Sequence, residues 1–98
     1  MDVFCLCFVT PRGQFAATRI GVSKVEKRGR GSFLLDTRPP QGAEVRISAL
    51  PPGFVARWSP ADQGMSIDIF DQRGRPADQG FALVIERSAN PALEGKRG

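Results

Sequence analysis

The chain of 98 residues contains no histidine and no tyrosine. Without histidine it lacks the side chain that ordinarily exchanges protons near neutral pH, and it has no Ser-His or Cys-His pair for nucleophilic catalysis. Its two cysteines cannot complete a four-thiolate zinc site. We therefore expect a binding protein that uses no metal or cofactor, and not an enzyme, because no convergent acid/base set remains.

The chain also lacks a long apolar run. The apolar segment Val3–Val9 is too short to span a membrane and has no basic lead-in, so we expect neither a signal peptide nor a membrane anchor. Within it, Cys5 and Cys7 would share one face of a strand, with Cα atoms near the outer limit for a disulfide. Two reduced, buried thiols are the expected state, and they fit the reducing cytoplasm.

The net charge of +4 is concentrated in one part of the chain. Between Arg12 and Arg38, seven basic residues face two acidic ones, a net of +5, and the rest of the chain carries −1. We call residues 12–38 the basic segment. Such a local charge favours a polyanion-binding surface, with an ordinary solvated loop as the alternative interpretation.

Short stretches of alternating apolar and polar residues predict strands, and no segment has a sustained helical period. The predicted strands cover residues 2–9, 14–22, 32–36, 44–48, 54–58, 65–70 and 81–86. Residues 23–31 have no apolar period and are predicted to form a protruding loop or hairpin tip. The pattern predicts an all-β fold, a small five-stranded antiparallel OB-like (Greek-key) barrel with protruding hairpins. Residues 1–87 would form this single domain and residues 88–98 a flexible polar tail.

The alternation of apolar and polar residues also predicts which side chains of a strand face the core. Met65, Ile67 and Ile69 are predicted to face the core, as are Leu83 and Ile85. The pentapeptide Pro-Ala-Asp-Gln-Gly occurs at 60–64 and 76–80, each time before a predicted strand.

A symmetric homodimer is expected because so short a chain has a modest core of its own. We predict that it assembles through the hairpin of residues 65–87. Phe70 lies on the outward side of its strand, and the predicted interface residues are Phe70, Arg73 and Arg75.

A single-strand binder needs cations that follow the phosphates and flat faces on which bases stack. The basic segment offers five such cations, which are Arg19, Lys24, Lys27, Arg28 and Arg30. Phe33 follows directly and is either a stacking face or a core residue.

These residues occur in an order that resembles the gene V type single-stranded-DNA-binding proteins of filamentous phages. Gln14-Phe15, Arg19 and Gly21-Val22-Ser23-Lys24 resemble the DNA-binding wing of that family, with an extra residue around 16–18. Further matches are Val45-Arg46-Ile47, Pro52-Gly53-Phe54 and the closing strand Gly80–Arg87.

The resemblance implies a homodimer with an OB-like barrel that coats single-stranded phage DNA stoichiometrically and cooperatively during replication, in the host cytoplasm. It implies phosphate contacts by Arg19, Lys24 and Arg46, and by Lys27 or Arg28. It also implies that Phe33, Phe81 and Arg87 take part in binding. RNA is the other single-stranded ligand that remains open.

Two other classes of protein compete with this interpretation. Ile69-Phe70-Asp71 and Gly80-Phe81-Ala82-Leu83 also resemble the closing strands of minor pseudopilins. That family begins with a long apolar helix, which this sequence does not contain. A protein-binding inhibitor whose basic face mimics nucleic-acid contacts is the remaining alternative.

Overall fold

The computed structural model describes residues 2–50 and 52–87, and these residues form eight β-strands. In chain order they are β1 (Asp2–Val9), β2 (Phe15–Ile20), β3 (Val25–Gly29), β4 (Ser32–Leu35), β5 (Glu44–Leu50), β6 (Val55–Ala61), β7 (Gly64–Phe70) and β8 (Gly80–Arg87). The described residues contain no helix, so the predicted all-β class is confirmed. The tail predicted for residues 88–98 lies outside the described residues.

The strands form two four-stranded antiparallel sheets. Sheet 1 has the order β2-β1-β8-β5, and sheet 2 has the order β3-β4-β7-β6. The prediction of a single closed barrel of five strands is therefore wrong. A period of two marks the buried side of a strand but carries no information about which strands become its neighbours.

One strand lies where a protruding loop or hairpin tip was predicted. Val25–Gly29 forms β3 and pairs with β4, with Val25 opposite Leu35 and Lys27 opposite Phe33. Only Val25 supplies an apolar side chain to the inner side of this strand. Lys27 takes the next inner position, where its aliphatic stem can pack while its ammonium group reaches solvent. The sequence therefore shows no apolar alternation at β3.

The core lies between the inner faces of the two sheets. Its fully buried side chains are Cys5, Cys7, Phe81, Leu83 and Ile85 from sheet 1, and Phe33, Leu35, Met65, Ile67 and Ile69 from sheet 2. The predicted inward positions on β7 and β8 are thus confirmed. Phe33 and Phe81 meet across the sheets edge to face, with ring centroids 5.2 Å apart and an interplanar angle of 62°.

The two lateral sides of the β-sandwich differ in how their edge strands are arranged. On one side β5 and β6 follow each other in the chain and lie in contact. On the other side β2 and β3 are edge strands, each paired with a single neighbour. Their outer backbone edges therefore have no ladder partner within the described residues, which leaves this side of the sandwich open.

Edge strand β2 contains a bulge. Its pairing with β1 shifts between Ile20, which lies opposite Leu6, and Ala16, which lies opposite Phe8. Ala17, inside the shift, has a φ of 61°. The bulge coincides with the extra residue that the resemblance required. Arg19 precedes the outward Ile20 and so projects to the inner side of the sheet.

The repeated pentapeptide adopts two different structures. The copy at 60–64 makes the tight connection between β6 and β7, with Ala61 paired to Gly64. In the copy at 76–80, Pro76 forms an isolated bridge with Phe70, and the residues after it are irregular until Gly80 begins β8. Its Asp78 carboxylate accepts a hydrogen bond from the backbone N–H of Gly31. The repeat is therefore not a repeated structural unit, although each copy ends in the first residue of a strand.

Candidate nucleic-acid interface

A cleft of about 930 Å³ opens between the edge strands β2 and β3. It is lined by Gly13, Gln14, Phe15, Arg19, Ser23, Lys24, Val25, Glu26, Leu34, Asp36 and Gln63. Every lining residue except Gln63 belongs to the basic segment. The open side of the sandwich and the positive part of the sequence therefore coincide.

Arg19 and Phe15 form one wall of the cleft. The guanidinium carbon of Arg19 lies 4.6 Å from the centroid of the Phe15 ring. Its Nε donates a hydrogen bond of 3.2 Å to the carbonyl of Val22. These two contacts hold a permanent positive charge beside a half-buried aromatic ring, an arrangement suited to an anion that carries a flat group.

Lys24 reaches the cleft from the segment that precedes β3. The Asp36 carboxylate organises this segment, because it accepts hydrogen bonds from the backbone N–H groups of Ser23 at 2.9 Å and Lys24 at 2.8 Å. Burial raises the pKa of Asp36, but these backbone hydrogen bonds and the Lys24 charge outweigh it and leave the pKa below its usual value. The side chain of Lys24 is exposed, and the described residues give it no ion-pair partner.

The β3–β4 hairpin carries the other three cations that were predicted to bind phosphates, and their contacts differ. Lys27 is bound: its Nζ lies 2.6 Å from Asp78 Oδ1, and it sits 5.9 Å from the centroid of the Phe33 ring. Its hydrogen bond lowers the pKa of Asp78. Arg28 is exposed and lies 3.3 Å from Glu26. Arg30 is exposed at the tip of the hairpin. Lys27 thus anchors the hairpin, while Arg28 and Arg30 project from it.

The structure buries two rings that were predicted to take part in binding, Phe33 as a stacking face or a core residue and Phe81 through the resemblance. Both side chains have zero exposure and pack against each other in the core. Neither ring offers a face to a base. Phe33 was predicted as a stacking face or a core residue, and the core alternative is the one observed.

Arg46 and Arg87 lie on sheet 1, outside the lining of the cleft. Arg46 contacts Glu44 at 3.0 Å and Glu86 at 3.1 Å, and its hydrogen bond lowers the pKa of Glu44. Its charge is therefore already balanced by two carboxylates. The guanidinium of Arg87 lies 5.6 Å from the ring centroid of Phe4. Neither residue lines the cleft.

The three residues predicted for a dimer interface lie around the β7–β8 connection. Phe70 is half-buried and pairs with Val55. Arg73 and Arg75 are exposed, and Arg75 already contacts Asp71 of its own chain at 3.4 Å. Asp71 also accepts hydrogen bonds from the backbone N–H groups of Arg73 and Arg75, which lower its pKa. Asp71, Arg73 and Arg75 of this connection therefore already have hydrogen-bond or ion-pair partners within one chain.

Sequence reasoning did not assign Phe15 or Gln63 to the site. Phe15 was quoted within the resemblance only for its place in the wing. Gln63 comes from the β6–β7 turn, far along the chain, and only the packing of sheet 2 brings it to the cleft.

No known protein family, curated protein or solved structure matches this chain. In residues 2–50 and 52–87 no helix has the length and apolar character needed to cross a membrane. The same residues do not gather three or more acidic or thiol side chains into a metal-binding group.

Proposed function

We propose that this chain binds single-stranded nucleic acid, with DNA as the expected ligand, along the cleft between β2 and β3. One observation carries the proposal: the cleft brings Arg19, Lys24 and the aromatic ring of Phe15 together at the open side of the sandwich. Cations that follow a backbone, combined with an aromatic face, are what non-specific single-strand binding requires.

In this proposal Arg19 and Lys24 contact phosphates inside the cleft, and Arg28 and Arg30 extend the positive track along the hairpin. Phe15 provides the face for a base. The lining also contains two acids, Asp36 and Glu26, which offset the charges of Arg19 and Lys24, so the net positive charge in this proposal comes from Arg28 and Arg30. Asp36 accepts two backbone hydrogen bonds, and the other acid, Glu26, contacts Arg28.

A preference for single strands follows from the same geometry. A duplex keeps its bases stacked on one another, so it presents phosphates but no free base to Phe15. Fluorescence anisotropy with matched single-stranded DNA, duplex DNA and single-stranded RNA tests this at two salt concentrations. We expect single strands to bind more tightly. A contact set of about four to six phosphates gives a log–log salt slope of roughly −3 to −4. Equal duplex binding, or binding indifferent to salt, would contradict the proposal.

Charge reversal at the cleft gives a sharper test. Lys24→Glu should weaken single-strand binding by about tenfold or more, because it replaces a phosphate contact with a repulsion. Arg73→Glu is the matched control: it makes the same change of charge at an exposed residue outside the cleft lining. Both variants should change stability by only about 0.5 kcal/mol, as is usual for exposed side chains. Equal weakening by the two variants would show a general charge effect and no defined cleft.

A protein-binding inhibitor is the second candidate, and one observation favours it. Strand β3 borders the cleft with a backbone edge that pairs with no other strand in residues 2–50 and 52–87, and an extended acidic peptide of a partner could add to it as a further strand. If single-stranded DNA fails to bind but an acidic peptide binds and is lost in Lys24→Glu, this alternative replaces the first.

A further inference from the structure

The outer face of sheet 1, which points away from the core, is apolar across the middle of β2, β1 and β8, whereas β5 continues the same rows with Arg46 opposite Val84 and Ser48 opposite Ala82. Pairing places Ile20, Leu6 and Val84 in one row across β2, β1 and β8. The next row contains Ala16, Phe8 and Ala82. We call these six residues the outer apolar patch.

No layer of the described chain covers this patch, since sheet 2 packs on the opposite side of sheet 1. An antiparallel sheet with one solvated face normally alternates apolar and polar side chains. Strand β1 breaks that rule, because its outward Leu6 and Phe8 are as apolar as its inward Cys5 and Cys7. The outer face of sheet 2 is different and carries polar residues such as Ser66 and Asp68 at its centre.

The size of the patch suits an interface. Ile20 is 46% exposed, Phe8 37%, and the flanking Val3 and Leu50 are 46% and 45% exposed. With their half-buried neighbours they present roughly 400 Å² of apolar surface, which is as large as the largest patch of a typical monomer. An interface core about 65% apolar would then bury roughly 600 Å² per chain, at the small end of specific interfaces.

Charge at the two rims of sheet 1 indicates what covers the patch. At the β5 side of the sheet, Glu44 and Arg46 lie on β5 and Glu86 lies on the neighbouring strand β8, a net of −1. The opposite rim is formed by β2, which contains no acidic residue. A twofold axis parallel to the strands would place the acidic rim of one copy over this acid-free rim of the other, so that the acidic residues of the two copies do not face each other.

We propose that the outer apolar patch is the interface of a homodimer, in which a second copy packs face to face against sheet 1. Twofold packing covers the same patch on both copies, as isologous interfaces do. The proposal is independent of nucleic-acid binding. It also moves the expected dimer contact from the β7–β8 hairpin to the outer side of β1, β2 and β8.

Mass measurement by light scattering or sedimentation equilibrium over a concentration series tests the interface. We expect the full chain to approach twice its monomer mass as concentration rises. Ile20→Lys and Phe8→Lys should each raise the dissociation constant by about tenfold or more, because each buries an unpaired charge in the apolar contact. Circular dichroism and thermal melting establish that each variant is folded.

Val55→Lys is the matched control. Val55 is also 46% exposed and also lies on an edge strand, but it belongs to sheet 2 beside Phe70. We expect it to leave the dimer intact. A chain that is monomeric at every concentration overturns the proposal. Dissociation by Val55→Lys with an intact Ile20→Lys dimer overturns it as well, and would assign the contact to the hairpin.

Discussion

Replacing Phe33 with leucine separates a core role from a binding role for this ring. Phe33 is fully buried between the sheets and meets Phe81 edge to face at 5.2 Å. Leucine keeps an apolar side chain at the position but removes the ring. The variant should therefore lose stability while its folded form binds single-stranded nucleic acid as the parent does.

The expected loss can be worked out from the packing. Part of the burial free energy of the ring disappears, about 1 kcal/mol. The edge-to-face contact with Phe81 contributes a further ~0.5–1.5 kcal/mol. Incomplete closure of the space left behind brings the total to roughly 2–3 kcal/mol, below the ~3–5 kcal/mol of a truncation to alanine. For a domain of this size the midpoint of thermal unfolding should fall by about 10–20 °C.

Urea unfolding followed by the fluorescence of Trp58, the only tryptophan, measures this loss. Phe70→Leu is the control, because Phe70 is half-buried on the outer face of sheet 2 and should cost less. The double variant Phe33→Leu/Phe81→Leu should show a coupling of about 0.5–1.5 kcal/mol. If Phe33→Leu costs under about 1 kcal/mol and weakens nucleic-acid binding about tenfold, the assignment of Phe33 to the core is refuted.

Three further predictions rest on single contacts. Gly31→Ala should destabilise the chain by roughly 2 kcal/mol or more in urea unfolding, because Gly31 has a φ of +66° and an added Cβ would lie 2.7 Å from the carbonyl oxygens of Ile69 and Ala77; a neutral effect would contradict the tight docking of this hairpin. Asp36→Ala should lower stability at neutral pH. The pKa of Asp36 is lowered in the folded chain, so its contribution to the free energy of unfolding is present above the unfolded pKa of about 3.9 and is lost as pH falls through the folded pKa. The melting temperatures of parent and variant, measured at decreasing pH, should therefore converge in acid. Arg46→Gln should leave single-strand affinity within about twofold in anisotropy titrations, because two glutamates already balance this charge.

Much of the strand content could be predicted from the sequence, because alternation with a period of two is a local signal. It assigned Met65, Ile67 and Ile69 to the core, and all three are fully buried. It failed for β3, where an edge strand needs few apolar side chains. Lys27 fills an inner position there through its stem and its contact with Asp78.

The candidate site likewise has features that could be predicted from the sequence and features that could not. The concentration of positive charge in residues 12–38 is a property of the sequence, and the residues that line the cleft come almost entirely from it. The partners of individual charges could not be predicted. Glu44 and Glu86 are far apart in the chain, and only the pairing of β5 with β8 places both beside Arg46.

The sequence by itself determined that the chain is all-β, where most strands lie and which residues carry the charge, because these depend on residues near one another in the chain. The tertiary structure alone decided how eight strands divide into two sheets, that β2 and β3 remain open edges, and that Phe33 and Phe81 face each other and not solvent. It also decided that the second apolar side of β1 has no covering layer within the described residues. These outcomes depend on long-range pairing, to which local alternation is blind.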